Sequence, residues 1–361
     1  MRVAPERWLE VMRTEYLDGY LPAGGSTVKV ISGSDAALGE AVAGLRHEAA
    51  ARRYWLALLD PGAMEGDGRR PALHRIDRLF FAITRDVDWQ GWAAAQARRY
   101  LAERGLELRA DRALGDLDGI AADNGRDPVD LLSQYQRELA TPIVRDPQLT
   151  IEFRAAITAL VRAQVAPTEA MTPSEEQVLL AWLRGETLAG AASVRKRLQI
   201  YQSISQLNAR HLLASFCHWL PRTGHQGLVV VLDFRPYERR RLPRTQQQAA
   251  TLGQLRAAIA RRASHTELDA ILAAGEEEPL YYSEDAYLKM LGMIRAFIDE
   301  IDWFERLLLV LLTTDAYYDL DSPRSYFNYD ALQTRIGLEV HDAGYANPAA
   351  ALVHLGDGDA G

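Results

Sequence analysis

Five short runs of almost unbroken apolar residues punctuate the chain: "VKVIS" (28–32), "YWLALLD" (54–60), "LVVVLD" (228–233), "LLLVLLTT" (307–314) and "ALVHL" (351–355). A strand covered on one face alternates apolar with polar residues. A strand covered on both reads as a continuous run, as these do. Long stretches of helical periodicity separate them, which is the pattern of an α/β protein built on a mostly parallel sheet. The expectation is a five-stranded sheet of central strands with helices on both faces.

No strand pattern interrupts residues 61–226. "DVDWQGWAAAQARRYLAE", "DPVDLLSQYQREL", "TIEFRAAITALVRAQV" and "TPSEEQVLLAWLRGE" all place apolar residues at helical spacing. Asp127 before Pro128, and Thr172 before Pro173 with Glu175 and Glu176 in the first turn, read as helix starts. The segment is therefore expected to be a large helical insertion in a core formed by residues 1–60 and 227–361. A further helical insertion is expected over 244–279, followed by a helix over "SEDAYLKMLGMIRAFIDEID" capped by Ser283. The N-terminal "MRVAPERWLEVMRTEYLDGYL" reads as an amphipathic helix rather than a signal peptide, because Glu15 breaks its apolar run.

Composition narrows the classes without choosing a function. Charged residues make up 25% of the 361 residues and the net charge is −8, so general affinity for nucleic acid or an anionic membrane is not expected of the whole surface. The single cysteine, Cys217, excludes an internal disulfide and a cysteine-cluster metal site. No apolar run approaches the ~18 residues that a spanning helix requires, and a cytoplasmic location is the default expectation.

The first strand and the helix after it stand where a nucleotide loop would stand. Such a loop turns backbone N–H groups onto phosphate, and adds a lysine for the β and γ charges and a hydroxyl for Mg²⁺. Gly33 and Ser34 follow the strand, but the sixth residue after Gly33 is Gly39, with Glu40 and Ala41 after it, so the G-x-x-x-x-G-K-[ST] spacing fails. "GLVVVLDF" has the form of the strand whose acidic end approaches Mg²⁺, and "ERLLLVLLTTDAYY" that of a later strand ending in polar residues near the γ-phosphate.

"RWLEVMRTEYLDGYLPAGGSTVKVISG" resembles the opening of the BREX-type ATP-binding protein family, P-loop proteins of bacterial phage-defence systems. The likeness continues in "LLAWLRGE", "IYQSISQLNARHLLASFCHWLPRTGHQGLVVVLDF", "SEDAYLKMLGMIRAFIDEIDWFERLLLVLLTTDAYYD" and "NPAAALVHL". It implies a P-loop NTPase-like fold related to the AAA+ and STAND groups. On the most direct alignment Gly39 stands for the family's lysine and Glu40 for its threonine. Phe234 stands where a glutamate would orient the attacking water, and a benzyl group accepts no proton. Asp233, Thr313 and Thr314 remain. The resemblance also implies a helical lid after "NPAAALVHL", and the sequence stops soon after it.

The resulting expectation is a degenerate P-loop protein. It would be a pseudo-ATPase or scaffold subunit of an antiphage complex, with no catalytic residues, no metal site and no required cofactor, ATP and Mg²⁺ being bound only if the atypical loop still holds them. Its expected partners are other proteins of a defence system, an ATPase or helicase first among them, with DNA contact indirect and no membrane. Two alternatives stay open. One is an ATPase in which Lys29 or an arginine replaces the missing lysine. The other is a DNA-binding module using Arg235, Arg239, Arg240, Arg241 and Arg244, a stretch that equally suits phosphate, a partner protein or a solvated loop. Arg335 is a further candidate for contact with a neighbouring subunit's nucleotide. His211, His218 and His225 recur every seven residues, and the plainer reading of ordinary surface or core histidines outweighs a metal site. Trp89, Trp92, Trp182 and Trp219 read as packing residues.

Overall fold

The computed structural model describes residues 2–62, 71–109, 111–138, 140–166, 171–186, 188, 190–238, 246–273, 282, 284–318, 332–333 and 347–356. Helix α1 (Pro5–Val11) passes directly into a π-helical segment, Met12–Tyr20. The helix expected there is present, but its second half is more loosely wound, and the Leu21 N–H reaches back to the Tyr16 carbonyl at 2.9 Å. Then come β1 (Thr27–Gly33), α2 (Asp35–Ala51) and β2 (Trp55–Leu59).

Helices alone connect β2 to β3 among the described residues. They are α3 (Ile76–Thr84), α4 (Trp89–Glu103), α5 (Leu117–Asp123), α6 (Pro128–Glu138), α7 (Thr141–Val144), α8 (Ile151–Val165), α9 (Pro173–Arg184), α10 (Ala191–Arg197) and α11 (Ala209–Trp219). Their starts follow local chemistry. The Asp88 carboxylate accepts the Gly91 N–H at 2.9 Å, and Asp127 accepts those of Val129 and Asp130. Thr172 and Glu175 form a reciprocal capping box, while Gly185 ends α9 in the left-handed conformation that a side chain would strain. After β3 (Leu228–Asp233) come α12 (Arg235–Glu238), α13 (Gln246–Ala260), α14 (His265–Ala273) and α15 (Glu284–Asp299). The chain then forms β4 (Leu307–Thr313), α16 (Asp315–Tyr318) and β5 (Leu352–Leu355). Ser283, expected to cap α15, lies outside the described residues.

The five strands pair in the order β2-β3-β4-β1-β5, all parallel. Each face has its own core. Ile31, Val229, Val231, Val310 and Leu312 pack under α1, the π segment and α2, with Trp8, Met12, Leu38 and Leu45 buried among them. Val30, Val230, Leu232, Leu309 and Leu311 face the other way, into a larger cluster shared with α3, α4, α8, α11 and α15. The helices between β2 and β3 thus bury their apolar faces in the same core as the sheet. Trp89 stacks on Trp219 at 5.9 Å within that core, and the Trp219 indole N–H donates to Gln96 Oε1 at 3.0 Å.

Candidate functional site

In an open parallel sheet the ligand crevice lies outside the carboxyl ends of the strands, near the point where the strand order reverses. Here that point is β1, because the chain leaves it toward β2 at one edge and later adds β5 on its other side. Only Ser34 separates β1 from α2. Its hydroxyl accepts the Ala37 N–H at 3.3 Å, so the side chain caps the helix. Gly33 lets β5 close in: a Cβ there would stand 2.7 Å from the Leu355 carbonyl oxygen. Gly39 and Glu40 lie one turn inside α2 on its exposed side, and a Cβ on Gly39 would meet nothing within 4 Å.

Opposite this turn, Asp233 ends β3 and is held by the Arg235 guanidinium. Arg235 Nε donates to one carboxylate oxygen at 2.8 Å and Nη2 to the other at 2.7 Å, a bidentate pair. Arg235 Nη1 reaches on to Asp35 at the start of α2 at 2.5 Å. The hydrogen bond that Arg235 donates to Asp233 raises the Arg235 pKa above its ordinary value, against the opposing effect of burial. One guanidinium therefore sits between two carboxylates at the N-terminus of α2, where the helix dipole favours negative charge.

Phe234 turns into the core. It is fully buried, stacks on Tyr237 at 5.9 Å and on Tyr287 at 5.7 Å, and meets Tyr317 edge-on at 6.0 Å. Thr313 is also fully buried, and its hydroxyl donates to the Ile31 carbonyl at 3.1 Å. The Thr314 backbone N–H donates to Glu238 Oε2 at 2.7 Å. Glu238 is only 4% exposed, and its Oε1 makes no hydrogen bond with any described residue. Burial is the main cause that pushes its carboxyl up to about 8, despite the Thr314 hydrogen bonds that oppose the shift. Nothing in "RPYERRR" marks this glutamate as buried. The available signal was its place on a short helix, with Pro236 in its first turn, directly after a central strand.

Two other polar groups near the strands have assigned roles. Ser32 Oγ lies 2.9 Å from His354 Nδ1, and Asp315 stands 3.8 Å from the same nitrogen. Arg2 Nε donates to His354 Nε2 at 2.9 Å, which puts the imidazole proton on Nδ1, facing Ser32. That tautomer donates to the serine and is not arranged to take its proton. Lys29 stands near the amino end of β1, where its ammonium donates to Tyr16 Oη at 2.7 Å and to the Ala349 carbonyl at 2.5 Å. Gly33 lies four residues further along the strand, roughly 13 Å away, so Lys29 does not reach the β1–α2 turn.

Arg239, Arg240, Arg241, Arg244 and Arg335 lie outside the described residues. The three histidines part company. His211 and His218 line one cleft, whereas His225 packs on Trp92 at 4.5 Å. Among the described residues no cluster of His, Cys, Asp and Glu has metal-binding geometry, and no helix is long and apolar enough to cross a membrane.

Residues 123–272 match the family described as BREX system ATP-binding protein BrxC/D. The match runs from the end of α5 into α14 and includes β3 with Asp233, Phe234, Arg235 and Glu238. The β1–α2 turn, β4 and β5 lie outside it. No curated protein and no solved structure matches the chain.

Proposed function

We propose that this chain is a BREX-type defence subunit that acts through its surfaces rather than by hydrolysing ATP. It would work beside a competent ATPase, helicase or other DNA-handling protein of the same system. The family match supports the BREX setting. The arrangement at the carboxyl ends of the strands carries the non-catalytic part, above all the one-residue turn at Ser34 faced by Asp233, Arg235 and Asp35.

A nucleotide triphosphate fits these residues poorly. A one-residue turn offers no loop of N–H groups to wrap a phosphate, and the Ser34 hydroxyl takes the Ala37 N–H for itself. An incoming phosphate would meet the carboxylates of Asp35 and Asp233 and would have to draw Arg235 away from both. The glutamate position is filled by a benzyl group buried in an aromatic stack, which neither orients nor deprotonates water. DNA contact through the basic stretch gains no support from Arg235, whose guanidinium is engaged with the two carboxylates.

Calorimetric titration of the folded protein with Mg-ATP and with Mg-ADP tests this reading. The expected result is no binding heat up to millimolar nucleotide. Micromolar affinity, or turnover lost on Asp233→Ala, would overturn it.

A further inference from the structure

At the amino end of the sheet, remote from the carboxyl-end cluster, lies a cleft of about 360 Å³. Three segments wall it: residues 147–150 ahead of α8, one face of α11, and residues 302–305 leading into β4. On α11 the cleft residues His211, Ala214 and His218 follow helical spacing, so they form one stripe. Leu207, in the turn before α11, is 91% exposed. Across from the stripe Trp303 is 56% exposed, its indole stacked on the His211 ring at 5.5 Å and 22°.

The floor is fixed and the rim is open. His218 is gripped on both ring nitrogens, by Glu305 at 2.8 Å and by Asp146 at 3.3 Å, and Gln148 donates to Glu305 at 3.1 Å. Asp146 is in turn paired with Arg222. Asp302 on the rim is exposed beside Trp303. Among the described residues the lining carries two carboxylates, Asp302 and Glu305, and no lysine or arginine.

We propose that this cleft docks an arginine-bearing segment of a partner protein. An exposed indole next to the exposed carboxylate of Asp302, at the rim of a concavity, suits a planar cation on an alkyl stem. The guanidinium stacks on the ring and bonds the carboxylate, while the stem lies over Ala214 between the two histidines. Arginine fits better than lysine because its planar fork does both at once. A nucleic acid is disfavoured, since its phosphates would meet the acidic lining. The proposal deepens the reading of the chain as an assembly subunit by naming the chemistry of the contact.

The probe is an acetylated, amidated heptapeptide alternating leucine with arginine, titrated while intrinsic tryptophan fluorescence and binding heat are followed, with a citrulline counterpart as the neutral control. The expected outcome is saturable binding below millimolar. Affinity should fall at least tenfold with the citrulline peptide, with Trp303→Ala and with Asp302→Asn, and stay unchanged with Leu288→Ala on the exposed side of α15. Thermal melting shows that each variant is folded. Absence of binding at millimolar peptide, equal binding of the citrulline form, or undiminished binding by both cleft variants would overturn the proposal. None of these results depends on nucleotide, so this failure is distinguishable from failure of the non-catalytic reading.

Discussion

The two ends of the sheet use similar residue types in opposite ways. At the carboxyl end an arginine is clasped by Asp233 and Asp35, and the aromatic Phe234 is sunk among Tyr237, Tyr287 and Tyr317. At the amino end Asp302 and Trp303 are left on an open rim, and only the floor beneath them is tied together by His218. Ion pairs and stacked rings satisfied inside the molecule contribute to stability and have little left to offer a ligand. The same groups held apart at a cleft contribute little to stability and are available for recognition.

The contrast is tested most severely at Phe234. Truncating a fully buried aromatic leaves a cavity as well as removing apolar surface, so Phe234→Ala is expected to lower unfolding stability by about 3–5 kcal/mol in urea denaturation. A loss below about 1 kcal/mol would mean that the aromatic stack is loosely packed, and that the carboxyl end is not the closed end described here.

Glu238 gives the next effect, read as a pH dependence. Its carboxyl is raised from 4.5 to about 8 in the folded chain. Between those values the folded state keeps a proton that the unfolded state has released, so stability falls as pH rises through that window and levels off above it. The slope reaches at most about 1.4 kcal/mol per pH unit. Glu238→Gln keeps an acceptor for the Thr314 N–H without the ionisation. It should flatten the profile, making the variant the more stable protein at pH 8 and giving it little advantage at pH 5. Parallel profiles for the two proteins would show that Glu238 is ionised and solvated at neutral pH.

The sheet was legible because β3 and β4 at its centre are buried on both faces, although β2 and β5, expected as central strands, form its edges and Leu58 of β2 is exposed. Runs such as "LVVVLD" and "LLLVLLTT" have no alternation to misread, and turns bound them closely. The order β2-β3-β4-β1-β5 was not legible, since crossover connections leave neighbours unspecified until the helices choose a face. The site was legible in part. Asp233 was singled out by its place at a strand end and Phe234 by the family resemblance, but Arg235 was read as the start of a basic loop, whereas its spacing of two from Asp233 let it fold back onto that carboxylate. Burial of Glu238 is imposed by elements distant in sequence, β4 among them, and no local pattern records it. His211 and His218 were noted for their spacing of seven, which on a helix puts both on one face. The Trp303 wall that turns that face into a cleft comes from some ninety residues further along the chain.

The smallest stability effect belongs to Trp303, and it bears most directly on the difference between the two ends. More than half of its surface is already in water, and its one ring contact among the described residues is with His211, itself exposed. Trp303→Ala should therefore cost no more than about 1 kcal/mol, the scale of a single aromatic pair with little added burial. Paired with the Phe234→Ala measurement, this separates an aromatic that holds the fold from one displayed on it. A loss approaching that of Phe234→Ala would make Trp303 a packing residue, and the amino-end cleft would then lose the wall on which an arginine is expected to stack.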